Sequence, residues 1–202
     1  MTISEHALTI SRRTIGSYES YARDYDALVS PTPPPDVESA LRRLATLAGP
    51  GGRILEVGSG PGRDADFLET LGVQVRRTDA TRAFLALQAE RGKRGELLNL
   101  LTDDLGGPYD AVLAMCVLIH IDRSHIDLVL GKIATALRPA GSFLMSLREG
   151  TGETTGDYHT TYWRRKDFVA RLERAGLRVV WHDRHLDSDE DPWLTFLAVA
   201  GQ

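Results

Sequence analysis

The feature that most constrains this chain is the stretch from Arg53 to Gly72. Ile54, Leu55 and Val57 form a short apolar run with β-branched residues, which reads as a buried strand. Gly58, Gly60 and Gly62 follow at alternate positions. Beyond Arg63 and Asp64, apolar residues recur at Ala65, Phe67, Leu68 and Leu71, a helical spacing that stops at Gly72. Strand, glycine loop and helix in that order make a nucleotide-binding turn. Glycines let the backbone pass close to a ligand, and a helix N-terminus offers free N–H groups.

The glycine spacing narrows the choice of ligand. A dinucleotide fingerprint, G-x-G-x-x-G, would place its third glycine where Arg63 stands. This chain has instead Glu56, Gly58, Gly60 and Gly62 in the pattern E-x-G-x-G-x-G, which resembles the first motif of class I S-adenosylmethionine (SAM) dependent methyltransferases. The family's second marker is an acid ending the next strand. Val73 and Val75 alternate toward Asp79, which lies about 20 residues past the first glycine, the spacing of a ribose-binding carboxylate. A second reading of Asp79, as the cap of a helix starting near Thr81, stays open.

The flanking segments fit the same layout. Ile15, Tyr18, Tyr21, Ala22, Tyr25 and Leu28 fall on one helical face within residues 10 to 29. That face is either a packing surface or a lid: family members carry a similar Y-x-x-x-A-x-x-Y segment, matched by Tyr18, Ala22 and Tyr25. Prolines at 31 and 33 to 35 make a stiff linker, so residues 1–35 are expected to form a helical lid and linker, and 36–202 the SAM-binding domain. Helices are expected at Asp36 to Leu47, Thr81 to Arg91, Asp122 to Arg138 and Asp167 to Ala175, and strands at Glu96 to Leu101, Ala111 to Met115 and Ser142 to Leu147. Residues 148 to 163 read as a mobile polar loop ending in aromatics. Leu177 to Trp181 and Trp193 to Val199, with no helix between them, imply a terminal hairpin. The resemblance implies a Rossmann-like, doubly wound α/β fold. Its seven-stranded sheet would be mostly parallel, with an antiparallel last strand.

It also implies a set of site residues. Gly58, Gly60 and Gly62, with Ser59 beside them, would admit the methionine and ribose, and Glu56 would stand near the amino group, directly or through water. Asp79, next to Ala80, would hold the ribose hydroxyls, and Asn99 with the Leu100 amide would read adenine. Asp103 is an alternative to Asn99, disfavoured because the acids at 103 and 104 look like turn chemistry. The Met115 carbonyl would face the ammonium, Val117, Leu118 and His120 match the family's V-L-x-H turn, and Tyr18 and Tyr25 would cover the sulfonium by cation–π attraction. Arg63 is either a carboxylate ligand or a surface residue. His120 is the candidate general base, or else fixes the loop around it. Tyr21, Arg148, His159 and Tyr162 are candidates for substrate contact, with Arg148 and Arg164 suited to a carboxylate or phosphate.

Composition bounds the remaining classes. The 202 residues carry 42% hydrophobic and 26% charged side chains and a net charge of −4, which suits a single soluble domain and argues against a nucleic-acid partner. Cys116 is the only cysteine, so no internal disulfide forms and a cytoplasmic location is expected. No signal peptide, membrane span or metal-ligand spacing is visible. The functional expectation is methyl transfer to a small-molecule acceptor by a monomer or homodimer. Alternatives are a SAM- or S-adenosylhomocysteine-binding regulatory module and, disfavoured by Arg63, an NAD-dependent oxidoreductase.

Overall fold

The computed structural model describes residues 2–201. Six helices run α1 Glu5–Leu28, α2 Pro35–Ala48, α3 Arg63–Thr70, α4 Arg82–Glu90, α5 Ile126–Ala136 and α6 Arg165–Arg174. Nine strands run β1 Arg53–Val57, β2 Gln74–Asp79, β3 Gly95–Leu97, β4 Tyr109–Ala114, β5 Leu137–Glu149, β6 Glu153–Thr155, β7 His159–Trp163, β8 Leu177–Leu186 and β9 Pro192–Ala200.

Seven of these strands form the expected sheet, in the order β3-β2-β1-β4-β5-β9-β8. Its first five strands are parallel, and β9 inserts antiparallel between β5 and β8. Strand β1 pairs with both β2 and β4, so the chain reverses its winding at the carboxyl end of β1, where such sheets bind ligands.

Alternate residues of the central strands face opposite layers. Ile54, Ala111, Leu113 and Leu144 pack under Ala40, Leu41 and Leu44 of α2 and Leu68 of α3. Leu55, Val112, Ala114 and Phe143 face the other layer, against Val129 and Ile133 of α5 and Phe168 and Leu172 of α6. Both faces are covered, which is why these strands read as continuous apolar runs. Helix α2 begins with Pro35 in its first turn, where a missing N–H costs nothing, and α1 begins at Ser4, whose hydroxyl accepts the Ala7 amide at 3.2 Å.

Two expectations change. Residues 148 to 163 are not one irregular loop: β6 and β7 form a hairpin, and the end of β7 continues the sheet beside β5, pairing Tyr162 with Arg148 and Trp163 with Glu149. Threonine, tyrosine and tryptophan at 160 to 163 carry the β preference that the glycines obscure. The strand expected at Glu96 to Leu101 ends at Leu97, because Asn99 turns the chain by accepting the Leu101 amide at 2.9 Å. Among the described residues, no helix is long and apolar enough to cross a membrane.

Candidate active site

The carboxyl ends of β1, β2 and β4 open into a cavity of about 140 Å³. Gly58, Gly60, Asp79, Ala80, Asn99, Leu100, Met115, Val117 and His120 all line it. Helix α1 roofs it with Tyr18 and Tyr25.

Its floor is the glycine loop. Gly58 has φ 65° and Gly60 φ 52°, values costly for any side chain-bearing residue. A Cβ on Gly58 would collide with the Val117 side chain, whereas one on Gly60 would meet nothing within 4 Å and stand in the cavity. Gly62 does something different. A Cβ there would lie 3.0 Å from both the Arg77 guanidinium and the Gln88 side chain, so this glycine permits close packing and does not line the cavity. Gln88 of α4 clamps the loop from behind, donating to Ser59 Oγ at 2.8 Å and the Gly60 carbonyl at 2.7 Å. Ser59 is thereby a structural partner, 7% exposed and outside the cavity wall.

Asp79 lines the cavity and also shapes the start of α4. One carboxylate oxygen accepts the Gly60 amide at 2.8 Å, the other the Thr81 amide at 2.8 Å, which turns the chain into α4. Burial raises its pKa above the ordinary value, with these amides opposing the shift. A carboxylate has about four acceptor positions, so room remains for hydroxyls from the cavity side. Glu56 lies deeper, 3% exposed and set back from the cavity wall, and its Oε2 has no partner. Burial first, and the nearby Asp64 next, hold its pKa well above the usual carboxylate range, opposed by Arg77. A buried carboxyl oxygen without a partner is suited to accept a hydrogen bond from a cation or a water bound to it.

Asn99 holds the roof to the wall, its amide nitrogen donating to Ser11 Oγ of α1 at 3.0 Å. Asp103 lies outside the cavity and accepts the Asn99 amide at 2.9 Å. Arg63 pairs with Asp64 at 2.7 Å and stands behind the wall. Above β4, Cys116 adopts φ 58°, donates its amide to Ser146 Oγ at 2.9 Å and lines the cavity.

His120 is held in one tautomer. Its Nδ1 lies 2.7 Å from the His159 carbonyl, which can only accept, so Nδ1 carries the proton. Its Nε2 lies 3.2 Å from the Tyr18 hydroxyl. Burial lowers the His120 pKa to about 4, with the His159 carbonyl opposing, so the ring is neutral and Nε2 accepts from Tyr18. The Tyr18 ring also touches Tyr25, Phe84 and Tyr158, at centroid distances of 5.9, 5.7 and 4.6 Å.

The residues expected to touch substrate are not gathered here. Arg148 points at Asp187 and Asp191 and lies over the Trp193 ring, because β5 carries it past the cavity. The His159 ring is buried in the β6–β7 hairpin, 3.1 Å from Thr161 Oγ1 and 3.2 Å from Glu153; only its carbonyl reaches toward the site, through His120. Tyr162 lies along the hairpin near Thr154, Tyr21 packs on the outer side of Tyr25, and Arg164 precedes α6 at the surface. Conversely, Ser11 and Thr14 join the cavity wall unanticipated, beside Ile15 of the expected lid face. They share the helical face of Tyr18 and Tyr25, a signal that the tyrosines overshadowed.

Comparison with known proteins agrees with this geometry. Residues 55–143 match a family model described as a methyltransferase domain. A Burkholderia thailandensis 1,6-didemethyltoxoflavin N1-methyltransferase superposes with a TM-score of 0.77 at 20% identity, covering 100% of this chain and 92% of that one. The CcbJ methyltransferase of Streptomyces caelestis superposes with a TM-score of 0.72 at 21% identity, over 90% of this chain and 96% of that one. The same fold also occurs in the [4+2]-cyclase SpnF, with a TM-score of 0.68 at 14% identity over 82% of this chain and 80% of that one. The search of curated protein sequences finds no match. The structural likenesses show the fold. The methyltransferase-domain match covers the segment that builds the cavity floor, and the fold is that of class I SAM-dependent methyltransferases. The Burkholderia structure holds bound S-adenosylhomocysteine.

Proposed function

We propose that this enzyme methylates a small-molecule acceptor inside the cavity under α1. The observation that carries the reading is the meeting of Asp79, the bare Gly60 backbone and the Tyr18–His120 pair around one cavity. SAM, when bound, supplies a methyl group on a sulfonium sulfur, which is the leaving group. In this reading Asp79 holds the ribose hydroxyls, Asn99 and the Leu100 amide meet the adenine, and Glu56 faces the ammonium through water, with the Met115 carbonyl nearer. Tyr18 and Tyr25 cover the sulfonium and exclude water. His120 takes the acceptor's proton through Nε2, and alignment of the acceptor supplies most of the acceleration.

A small roof made of one helix leaves little space for a macromolecule, which supports a metabolite and not a nucleic acid or protein as acceptor. The Burkholderia relative holds 1,6-didemethyltoxoflavin with S-adenosylhomocysteine, in keeping with that. Division into a lid at residues 1–35 and a SAM-binding domain at 36–202 belongs to the same proposal. So do a cytoplasmic location and a monomeric or homodimeric state. A regulatory module without methyl transfer would leave the neutral His120 without a task.

The test is incubation with SAM and a metabolite panel, reading S-adenosylhomocysteine release. Acceptor-dependent release that is lost in Asp79→Ala supports the reading. Tight S-adenosylhomocysteine binding with no release from any acceptor favours the regulatory module.

A further inference from the structure

The Tyr18–His120 contact says more about the acceptor than the cofactor half of the site does. The Tyr18 hydroxyl donates to the one unprotonated nitrogen that faces the cavity. No lysine or arginine among the described residues lines the cavity; the walls near His120 are Ile15, Phe84, Val117 and Ile121. Arg63 is paired with Asp64, and Arg148 with Asp187 and Asp191. Beside His120, a carboxylate or phosphate on the acceptor would therefore have no cationic partner, at considerable desolvation cost. The acidic side chain on the wall, Asp79, is already held by two amides and lies at the β2 end of the cavity.

We infer that the acceptor is an uncharged aromatic molecule bearing a hydroxyl or ring N–H, and that this group replaces the Tyr18 hydroxyl at His120 Nε2. This rests on the methyltransferase reading above. Tyr18 then has a specific role: with no acceptor present it occupies the base, and its phenol mimics the group that displaces it. Its ring remains as an edge or face for an aromatic acceptor, alongside Phe84. In the reaction the acceptor's oxygen or nitrogen forms a bond to the methyl carbon, the carbon–sulfur bond breaks with its electron pair going to sulfur, and the acceptor's proton moves to Nε2. The His159 carbonyl holds the Nδ1 proton throughout and stabilises the imidazolium that results.

The experiment, at about pH 6 so that the coumarin phenol stays protonated, titrates protein saturated with S-adenosylhomocysteine with three fluorescent or absorbing probes: uncharged 7-hydroxycoumarin, anionic 4-hydroxybenzoate and cationic tyramine. The neutral probe is expected to bind at least tenfold more tightly than either charged one. Tyr18→Phe removes the competing hydroxyl, so it is expected to tighten the neutral probe by about fivefold, the worth of one ordinary hydrogen bond. His120→Ala is expected to abolish that difference between wild type and Tyr18→Phe, while S-adenosylhomocysteine affinity stays within a few-fold. Preference for a charged probe, no binding of the neutral one, or weaker neutral-probe binding in Tyr18→Phe would each overturn the inference. The methyltransferase reading would stand in those cases, because S-adenosylhomocysteine binding is measured first. Its absence would remove both.

Discussion

Gly58 and Val117 face each other across the cavity floor so closely that the valine side chain fills the volume a Cβ on residue 58 would need. Gly58 also has φ 65°, so a side chain there is opposed twice. Gly58→Ala is expected to destabilise the protein by about 2 kcal/mol and to weaken S-adenosylhomocysteine binding more than tenfold. Adding Val117→Ala should recover about 1 kcal/mol of the loss, since the collision is removed and the backbone strain is not. Denaturant unfolding of the single and double variants measures the coupling.

Glu56 gives a prediction with opposite signs for stability and binding. Burial raises its pKa, so its contribution to stability is complete below the ordinary carboxylate pKa and is lost as pH rises through the folded value. Glu56→Gln removes that loss. Thermal unfolding at mildly alkaline pH should show the variant more stable than the wild type. Calorimetry should show its S-adenosylhomocysteine affinity reduced about tenfold, because the charge that faces the ammonium through water is gone.

Helix α1 is fastened to α4 by Glu19, whose carboxylate accepts the backbone amides of Arg82 at 2.6 Å and Ala83 at 2.9 Å. Thr81, at the start of α4, makes no side-chain cap, so a residue 62 positions upstream does the capping. The interface beneath it is small, with Ala22, Phe84 and Leu87 as its buried members. Glu19→Ala is expected to cost about 1 kcal/mol and to raise amide hydrogen exchange severalfold in both helices. Central strands should exchange as before.

His120 couples stability to pH in the other direction from Glu56. Its folded pKa of about 4 lies below the ordinary 6.5, so the unfolded chain binds more protons between those values. Stability is complete above pH 6.5 and falls toward pH 4, by on the order of 3 kcal/mol. In His120→Gln that slope should flatten. Turnover in the wild type should stay level from neutral pH down toward pH 5, because the base is still unprotonated there.

Most of the layering was legible from residues 36 to 147, because the central strands are buried on both faces and their apolar runs have no other home. The glycine loop and Asp79 were legible because spacing alone brings them to one end of the sheet. Legibility failed where tertiary contacts decide the outcome. Arg148, His159 and Tyr162 lie after a strand end, where binding residues concentrate, yet the β6–β7 hairpin turns two of these side chains elsewhere and Asp187 and Asp191 claim the third. The Tyr18 contact to His120 spans 102 residues, and no local pattern reports such a pair. Gly62 illustrates a different limit: its place in the motif suggested ligand approach, whereas its neighbours Arg77 and Gln88 show that it serves packing.

The central claim is that Asp79 and the glycine loop hold SAM. Calorimetric titration with S-adenosylhomocysteine tests it most directly, with NAD as the control ligand and Asp79→Ala as the control protein. The account predicts micromolar binding of S-adenosylhomocysteine to the wild type, none of NAD, and loss of at least tenfold in affinity in a variant that still unfolds cooperatively. Equal affinity in Asp79→Ala, or preference for NAD, would contradict it.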